Sequence, residues 1–263
     1  MPSDQEHDFQ HIDIKGQPVY YLISGTGKTT LLMIHGYPGR PQDFRWLNPP
    51  LNEDFQIIQI ALPGMGYTPL SSCTAVVLSD RAAFLSSFLD DLGIQRCWVL
   101  GHSINGPLAT ALAEKDPLRI QRLILLCSIG LRPHRAYRQL PSHTMFKLFQ
   151  LPGIRRWSIR WIRKAYTSNG FPKGIKDEAM LHAMRCAYAL RFDELTDTAK
   201  RIHCPTMILW TDNDPLIEES VSEELSARLP KGPRRMISGG GHNPQRKHAT
   251  VIAEDIIRWH REK

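Results

Sequence analysis

Ser103 is the residue whose surroundings in the sequence point most clearly to chemistry. The apolar segment 97–100 precedes it and is typical of a β-strand, and the Ala- and Leu-rich segment 108–115 follows it and is typical of a helix. Ser103 is therefore predicted to lie on a sharp turn from strand to helix, with its hydroxyl group exposed and the first amides of the helix around it. A serine nucleophile needs this placement. A simple helix N-cap would also suit the position.

Two other reactive side chains follow predicted strands. Asp214 comes after the apolar segment 207–210, and His242 comes after the strand-like segment 235–238. A serine hydroxyl is a weak nucleophile unless a base takes its proton, and a carboxylate must orient that base. The sequence therefore predicts Ser103 as nucleophile, His242 as general base and Asp214 as the orienting acid. Asp212 is the alternative acid.

A glycine-containing loop, His-Gly-Tyr-Pro-Gly at residues 35–39, leaves the predicted strand at 31–34. With this loop, and with Ser, Asp and His in that order at strand ends, the chain resembles the α/β-hydrolase superfamily, in particular its lidded, esterase-like members. The resemblance implies an α/β fold, with a mostly parallel central sheet flanked by helices and a helical lid insertion. It also implies an oxyanion hole formed by the backbone N–H groups of Tyr37 and Ile104, and a supporting role for His35 at the base of the loop.

The central motif departs from the family pattern at one position. The pattern G-x-S-x-G requires glycine two residues after the serine, but Asn105 occupies that place and Gly106 follows it. The Asn105 side chain must either fit where the helix passes close to the sheet or offer a hydrogen bond near the site. We assign Asn105 to the predicted substrate pocket, together with Tyr37.

The chain divides into three predicted segments: a first part of the core domain at 1–130, a helical lid at 131–200, and a second part of the core at 201–263. Proline and glycine interrupt short helical patterns in the middle segment. Residues 130–200 contain 14 Lys and Arg against 5 Asp and Glu, whereas the rest of the chain contains 19 against 21. The lid segment therefore carries the basic excess.

A predicted helix at residues 154–166 concentrates this charge. Ile154, Trp157, Trp161 and Ala165 form one apolar stripe, which is predicted to cover the active site and to place Trp157 and Trp161 in the substrate pocket. The basic face could be merely solvated, could lie on an anionic membrane surface, or could dock an acidic protein such as an acyl carrier protein. Nucleic acid is not expected as a partner. The candidate docking residues are Arg132, Arg135, Arg138, Arg155, Arg156 and Arg160.

Composition narrows the possible classes of protein. A length of 263 residues suits one large α/β domain, and no apolar run is long enough to span a membrane. The five cysteines are scattered and contain no CxxC pair, so neither a zinc site nor a disulfide framework is expected. With a polar, acidic start at residues 1–13, these features predict a cytoplasmic protein that needs no metal or organic cofactor.

The predicted function is that of a serine hydrolase that cleaves a carboxylic ester through an acyl-enzyme on Ser103. The chain is similar in plan to lidded esterases that demethylate pimeloyl-acyl carrier protein methyl ester. A membrane-surface lipase or monoacylglycerol-type esterase, and a non-catalytic ligand-binding protein on a hydrolase scaffold, are the alternatives. Serine rather than aspartate at the nucleophile position argues against the dehalogenase and epoxide hydrolase chemistry found within the family. It does not exclude thioesterase, lactonase or carbon–carbon bond hydrolase chemistry.

Overall fold

The fold is built on one eight-stranded sheet, seen in a computed structural model that describes residues 9–71, 74–168 and 174–262. Residues 1–8 and the Ala165 side chain, both discussed above, lie outside the described part. The spatial order of the strands is β1-β2-β4-β3-β5-β6-β7-β8, antiparallel between β1, β2 and β4 and parallel elsewhere. The strands are β1 (Gln10–Ile14), β2 (Gln17–Ser24), β3 (Thr29–Ile34), β4 (Phe55–Ile60), β5 (Cys97–His102), β6 (Ile120–Leu126), β7 (Thr206–Thr211) and β8 (Arg234–Ile237).

Helices cover both faces of this sheet. The central strands β3 and β5 are buried almost throughout, which explains their continuous apolar sequences. One face packs against α2, α3, α8 and α9, and the other against α1 and α10. The helices are α1 (Asn48–Leu51), α2 (Leu78–Asp91), α3 (Gly106–Lys115), α4 (Arg135–Arg138), α5 (His143–Phe149), α6 (Pro152–Ser168), α7 (Asp177–Tyr188), α8 (Phe192–Lys200), α9 (Glu219–Arg228) and α10 (Ala249–Arg261).

The parallel register brings the carboxyl ends of the central strands to one edge of the sheet. Ile34 at the end of β3 lies beside Gly101 of β5, and His102 at the end of β5 lies beside Leu126 of β6. Thr211 at the end of β7 lies beside Ile237 of β8. The segments that follow these strands therefore meet at this edge, where open α/β sheets place their ligands.

The segment between β6 and β7, which we call the helical insertion (residues 131–200), consists of α4 to α8. It has a small core of its own, separate from the two cores that flank the sheet. Part of α7 also packs against the sheet domain. The separate core of the insertion contains Phe146, Ile162, Met180, Leu181 and Met184. None of the helices in the described ranges is long and apolar enough to cross a membrane.

The orientation of α6 corrects one sequence prediction. The buried positions are Ser158 and Ile162, whereas Ile154, Trp157 and Trp161 are 41%, 59% and 47% exposed. The physical reason lies in the contact between α5 and α6, where the small Ser158 side chain donates a hydrogen bond of 2.7 Å to the carbonyl of Phe149. This close approach turns the large apolar stripe outward. The prediction that the whole stripe covers the site is therefore wrong.

Candidate active site

Ser103 lies on the turn that joins β5 to α3, as its sequence context predicts. A short 3-10 segment, Ser103–Asn105, connects the two elements, and Ser103 has a φ of +58°. Positive φ is strained for a residue with a Cβ atom and is characteristic of nucleophile turns. A Cβ atom on Gly106 would lie 1.8 Å from the Ser128 hydroxyl oxygen. The close contact that usually demands glycine at position 105 thus falls one residue later in this chain.

Asn105 is fully buried and is not among the residues that line the cavity beside Ser103, so its assignment to the substrate pocket is wrong. Its side-chain amide donates a 2.6 Å hydrogen bond to the carbonyl of His35, and its Oδ1 accepts one of 2.6 Å from Arg81. Arg81 is buried too, and its guanidinium group lies 5.0 Å from the centre of the Tyr37 ring. Asn105 therefore connects the nucleophile turn to the glycine loop and to a buried cation.

Replacing Asn105 with alanine is expected to lower the free energy of unfolding by about 3 kcal/mol. The buried Arg81 guanidinium would lose its acceptor and the His35 carbonyl its donor, and unpaired buried polar groups are costly. Urea unfolding of the purified variant measures the change. Asn105→Asp, which keeps an acceptor for Arg81, should lose less. Equal losses in the two variants would contradict the role given to Arg81.

The structure brings Ser103, His242 and Asp214 together at the carboxyl edge of the sheet. His242 Nε2 accepts a 2.7 Å hydrogen bond from the Ser103 hydroxyl, and His242 Nδ1 donates one of 2.8 Å to Asp214 Oδ2. All three side chains are buried. The base thus lies within reach of the nucleophile proton and is oriented by a carboxylate, which is the arrangement that activates a serine for acyl transfer.

Asp214 is held ionised by its surroundings. Burial acts to raise the pKa of its carboxyl group, but the hydrogen bond and charge of His242, with the amides of Leu216 and Ile217, outweigh burial and lower that pKa. The alternative acid, Asp212, does not reach His242. It accepts hydrogen bonds from Ser238 and from the Gly239 amide, so it shapes the histidine loop instead.

The backbone amides assigned to the oxyanion hole lie beside Ser103. Tyr37 and Ile104 both line the cavity at the nucleophile, and neither amide donates to a protein acceptor within the described residues. A Cβ atom on Gly36 would lie 2.8 Å from His102 Nδ1 and 3.1 Å from the Ser103 Cβ atom. Glycine at position 36 is therefore what lets the loop approach the nucleophile so closely.

Two buried histidines support this geometry without taking part in the Ser103–His242–Asp214 chain. His35 donates to the carbonyl of Gly36 and accepts from the amide of Leu62, in agreement with a supporting role. His102, which the sequence did not single out, donates a 3.0 Å hydrogen bond to the His242 carbonyl. Burial and the adjacent His242 ring lower the pKa of His102 to about 3, so it remains a neutral donor.

A cavity of about 160 Å³ opens at Ser103 and His242 between the sheet edge and the helical insertion. Of the four predicted pocket residues, Tyr37 and Trp161 line it, whereas Asn105 and Trp157 do not. His134 is a lining residue that the sequence analysis missed, and burial lowers its pKa to about 4. The apolar part of the lining includes Ile129, Tyr137, Leu140, Ile162, Met184, Leu190, Leu216 and Ile217.

Four of the six predicted docking arginines have partners within the chain. Arg132 pairs with Glu224 at 3.0 Å, and Arg138 pairs with Glu218. Arg135 donates to the backbone carbonyls of Asp214 and Pro215, and its own amide donates to Glu218. Arg155 pairs with Glu178. The contacts of these four arginines hold the insertion to itself, to α9 and to the loop that carries Asp214, which charge counting could not reveal.

Arg156 and Arg160 are exposed on α6 and have no ion pair among the residues that the structure describes. They are the members of the predicted docking set that remain free to meet a partner. Elsewhere in the described ranges, no group of three or more His, Cys, Asp or Glu side chains is placed to hold a metal ion.

Comparisons with known proteins agree with this architecture. A family model described as alpha/beta hydrolase fold matches residues 29–172. The uncharacterized hydrolase YugF of Bacillus subtilis is 24% identical over 263 aligned residues, which cover 92% of this chain and 94% of that protein. A 2-hydroxy-6-oxononadienedioate/2-hydroxy-6-oxononatrienedioate hydrolase of Paraburkholderia phymatum is 24% identical, with 91% of this chain and 89% of that protein covered. A solved alpha/beta hydrolase fold protein from Burkholderia ambifaria has a TM-score of 0.77 at 19% identity, covering 95% and 97% of the two chains, which shows a common fold.

Proposed function

Because the chain belongs to the alpha/beta hydrolase family, we propose that it is a serine hydrolase that cleaves carboxylic esters of apolar acyl chains. The observation that carries the proposal is the hydrogen-bonded series Ser103–His242–Asp214 at one end of a mainly apolar cavity. In this proposal the helical insertion forms the roof of the acyl site. The insertion thus acts as the lid that its position in the sequence predicts.

The reaction proceeds in two acyl-transfer steps. The Ser103 hydroxyl oxygen bonds to the ester carbonyl carbon while its proton passes to His242 Nε2, and the amides of Tyr37 and Ile104 stabilise the resulting oxyanion. The intermediate collapses when the bond to the alcohol oxygen breaks and His242 returns the proton to that oxygen. Water then attacks the acyl-enzyme, with His242 as base, and releases the acid and free Ser103.

The lining of the cavity favours a neutral acyl group. None of its described lining residues is Lys, Arg, Asp or Glu, and its polar side chains besides Ser103 and His242 are His134, Gln139, Trp161 and the two tyrosines Tyr37 and Tyr137. A carboxylate buried there would lack a counter-charge, and an unpaired buried charge is strongly disfavoured. The Paraburkholderia relative is named for a substrate with two carboxylates. The cavity therefore supports an apolar ester over a dicarboxylate of that kind.

The methyl ester of pimeloyl-acyl carrier protein, which the sequence resemblance brings in, has a neutral acyl end that such a cavity could accept. However, the arginines proposed to recognise the acidic carrier are mostly engaged within the chain, and only Arg156 and Arg160 remain. A lipid-like or simple apolar ester needs no carrier contact. It is therefore the substrate class that we favour.

A non-catalytic binding protein on the same scaffold is disfavoured by the intact geometry. A binding protein has no need of a serine held at positive φ within 2.7 Å of an imidazole nitrogen. Backbone strain of this kind costs of order 1–3 kcal/mol and is retained where function requires it.

A phosphonate label and a matched series of esters test the proposal together. An alkyl fluorophosphonate is expected to add once, on the tryptic peptide that contains Ser103. In p-nitrophenyl esters, kcat/KM is expected to rise from acetyl to hexanoyl as the acyl chain fills the cavity. The hydrogen adipate ester, which resembles the hexanoyl ester but carries a carboxylate, should be about tenfold poorer or worse. Labelling of a different residue, or faster cleavage of the adipate ester, would contradict the proposal.

A further inference from the structure

Exposed apolar side chains are concentrated on one part of the helical insertion. In the part of the chain that the structure describes, eleven large apolar side chains are exposed, and six of them fall within residues 145–161. Clusters of this kind usually mark a surface that meets another apolar phase. We call this set the exposed apolar face: Met145, Leu148, Leu151, Ile154, Trp157 and Trp161.

The exposed apolar face is not needed to fold the insertion. Helix α6 packs inward through Ser158 and Ile162, and α5 packs inward through Phe146. The inner faces of both helices are therefore already filled. Ile154 and Trp157 leave 41% and 59% of their surface in water, and each loses the free energy that full burial of this surface would give.

A row of cations lies directly beside this face. Arg156, Arg160 and Lys164 recur every four residues on α6, so they form one line along the helix next to the line of Trp157 and Trp161. All three are exposed, and none has an ion pair among the residues described. No acidic residue occurs in the sequence between Asp116 and Asp177. This row of cations therefore gives the apolar face one basic border, whereas Arg155 and Arg163 on the same helix pair with Glu178 and Asp177.

We propose that α5 and α6 dock this face onto an anionic lipid surface. Basic side chains meet the phosphate groups, while Trp157, Ile154 and their apolar neighbours enter the boundary between headgroups and acyl chains. An acidic protein would pair with the cations but would offer no apolar environment to the six side chains of the exposed apolar face. The combination of free cations with outward apolar side chains is what selects a lipid surface.

Trp161 connects this surface to the catalytic cavity. It is about half exposed as part of the apolar face, and it also lines the cavity at Ser103. Docking would therefore place the cavity beside the lipid, so that an ester-bearing lipid reaches Ser103 along Trp161. This last step rests on the proposed esterase function, whereas docking itself does not.

Vesicle co-sedimentation of the Ser103→Ala protein tests docking separately from hydrolysis. The protein is expected to sediment with vesicles of equal parts phosphatidylcholine and phosphatidylglycerol and to dissociate from them at high salt. It should not sediment with vesicles of pure phosphatidylcholine. Failure to sediment with the mixed vesicles would overturn docking and leave the esterase proposal untouched. If the fluorophosphonate did not label the wild-type protein, the esterase proposal would be overturned and the docking proposal would stand.

Two pairs of variants identify the surface. Trp157→Ser and the double variant Arg156→Glu/Arg160→Glu are each expected to weaken vesicle partitioning by about tenfold or more. Their matched controls are Leu118→Ser, at an exposed apolar residue outside the exposed apolar face, and Arg96→Glu/Lys115→Glu, at two exposed cations outside α5 and α6. Both controls should partition like the parent. The same four variants are also made in protein that retains Ser103. Their rates of p-nitrophenyl butyrate hydrolysis in solution should equal the wild-type rate, which would show that they fold.

Two results would overturn the proposal. Controls that weaken partitioning as much as the test variants would show attraction by net charge alone. Loss of partitioning in the charge-reversed variant with full retention in Trp157→Ser would also contradict it, because an acidic protein partner needs the cations but not the tryptophan.

Discussion

Replacing Ser103 with alanine is expected to lower kcat for p-nitrophenyl hexanoate by about 10⁶-fold, down to the residual rate that the oxyanion amides and binding alone can sustain. The substitution removes only the hydroxyl oxygen that is hydrogen-bonded to His242 Nε2, and it keeps the Cβ atom, so the strained turn is unchanged. Steady-state kinetics with protein purified on a fresh column, to avoid traces of wild type, measure the loss. KM is expected to change far less than kcat.

Ser128→Ala is the matched control for this variant. Ser128 follows β6, is buried and packs against Gly106 at the start of α3, but its hydroxyl group donates to the carbonyl of Ile129 and not to His242. Its kcat should stay within about tenfold of wild type, because only packing is altered. Comparable activity in Ser103→Ala and wild type would remove Ser103 from the mechanism. A third variant, Ser103→Gly, should be more stable than Ser103→Ala by about 1 kcal/mol, because glycine accepts positive φ without strain.

Replacing Asp214 with asparagine is expected to lower kcat by about 10⁴-fold. The side-chain oxygen of the new residue would keep the hydrogen bonds from the amides of Leu216 and Ile217, so its NH₂ group would face His242 Nδ1. That group donates and cannot accept, so the imidazole would have to present a bare Nδ1 and carry its proton on Nε2. The nitrogen that faces Ser103 could then no longer take the serine proton.

Asp212→Asn supplies the comparison, since it makes the same chemical change two residues away. Asp212 holds Ser238 and Gly239 but does not contact His242. Its loss should disturb the histidine loop and cost about tenfold in kcat. A larger loss at Asp212 than at Asp214 would contradict the assignment of the acid. Urea unfolding of both variants separates a catalytic loss from a loss of folded protein.

The positions of Ser103, Asp214 and His242 could be predicted because each follows a strand of a parallel sheet. Such strands share one carboxyl edge, so residues far apart in sequence are brought to one place by topology alone. The assignment of Tyr37 and Ile104 to the oxyanion hole comes instead from the resemblance to the α/β-hydrolase superfamily. Local sequence sufficed for the strands β3, β5 and β7, because their patterns are short, apolar and clearly bounded.

The contacts made by side chains could be predicted much less well. Arg81 offered a signal, because it shares a helical stripe with Leu85 and Phe88, where a charged residue must find a buried partner. The choice of Asn105 as that partner depends on the path of the nucleophile turn. The orientation of α6 depends on the contact between Ser158 and α5. The sequence of α6 offers two candidate inner faces, the apolar stripe and the face with the small Ser158, and it does not show which of them packs inward.

The arginines that begin the helical insertion connect it to the segment that carries Asp214. Arg132 pairs with Glu224, Arg138 with Glu218, and Arg135 donates to the carbonyl of Asp214, so the start of the insertion is bonded to residues 214–224. Removal of the three arginine side chains would leave Glu218 and Glu224 without these side-chain partners. The helical insertion of this chain is therefore not structurally independent of the segment that follows β7.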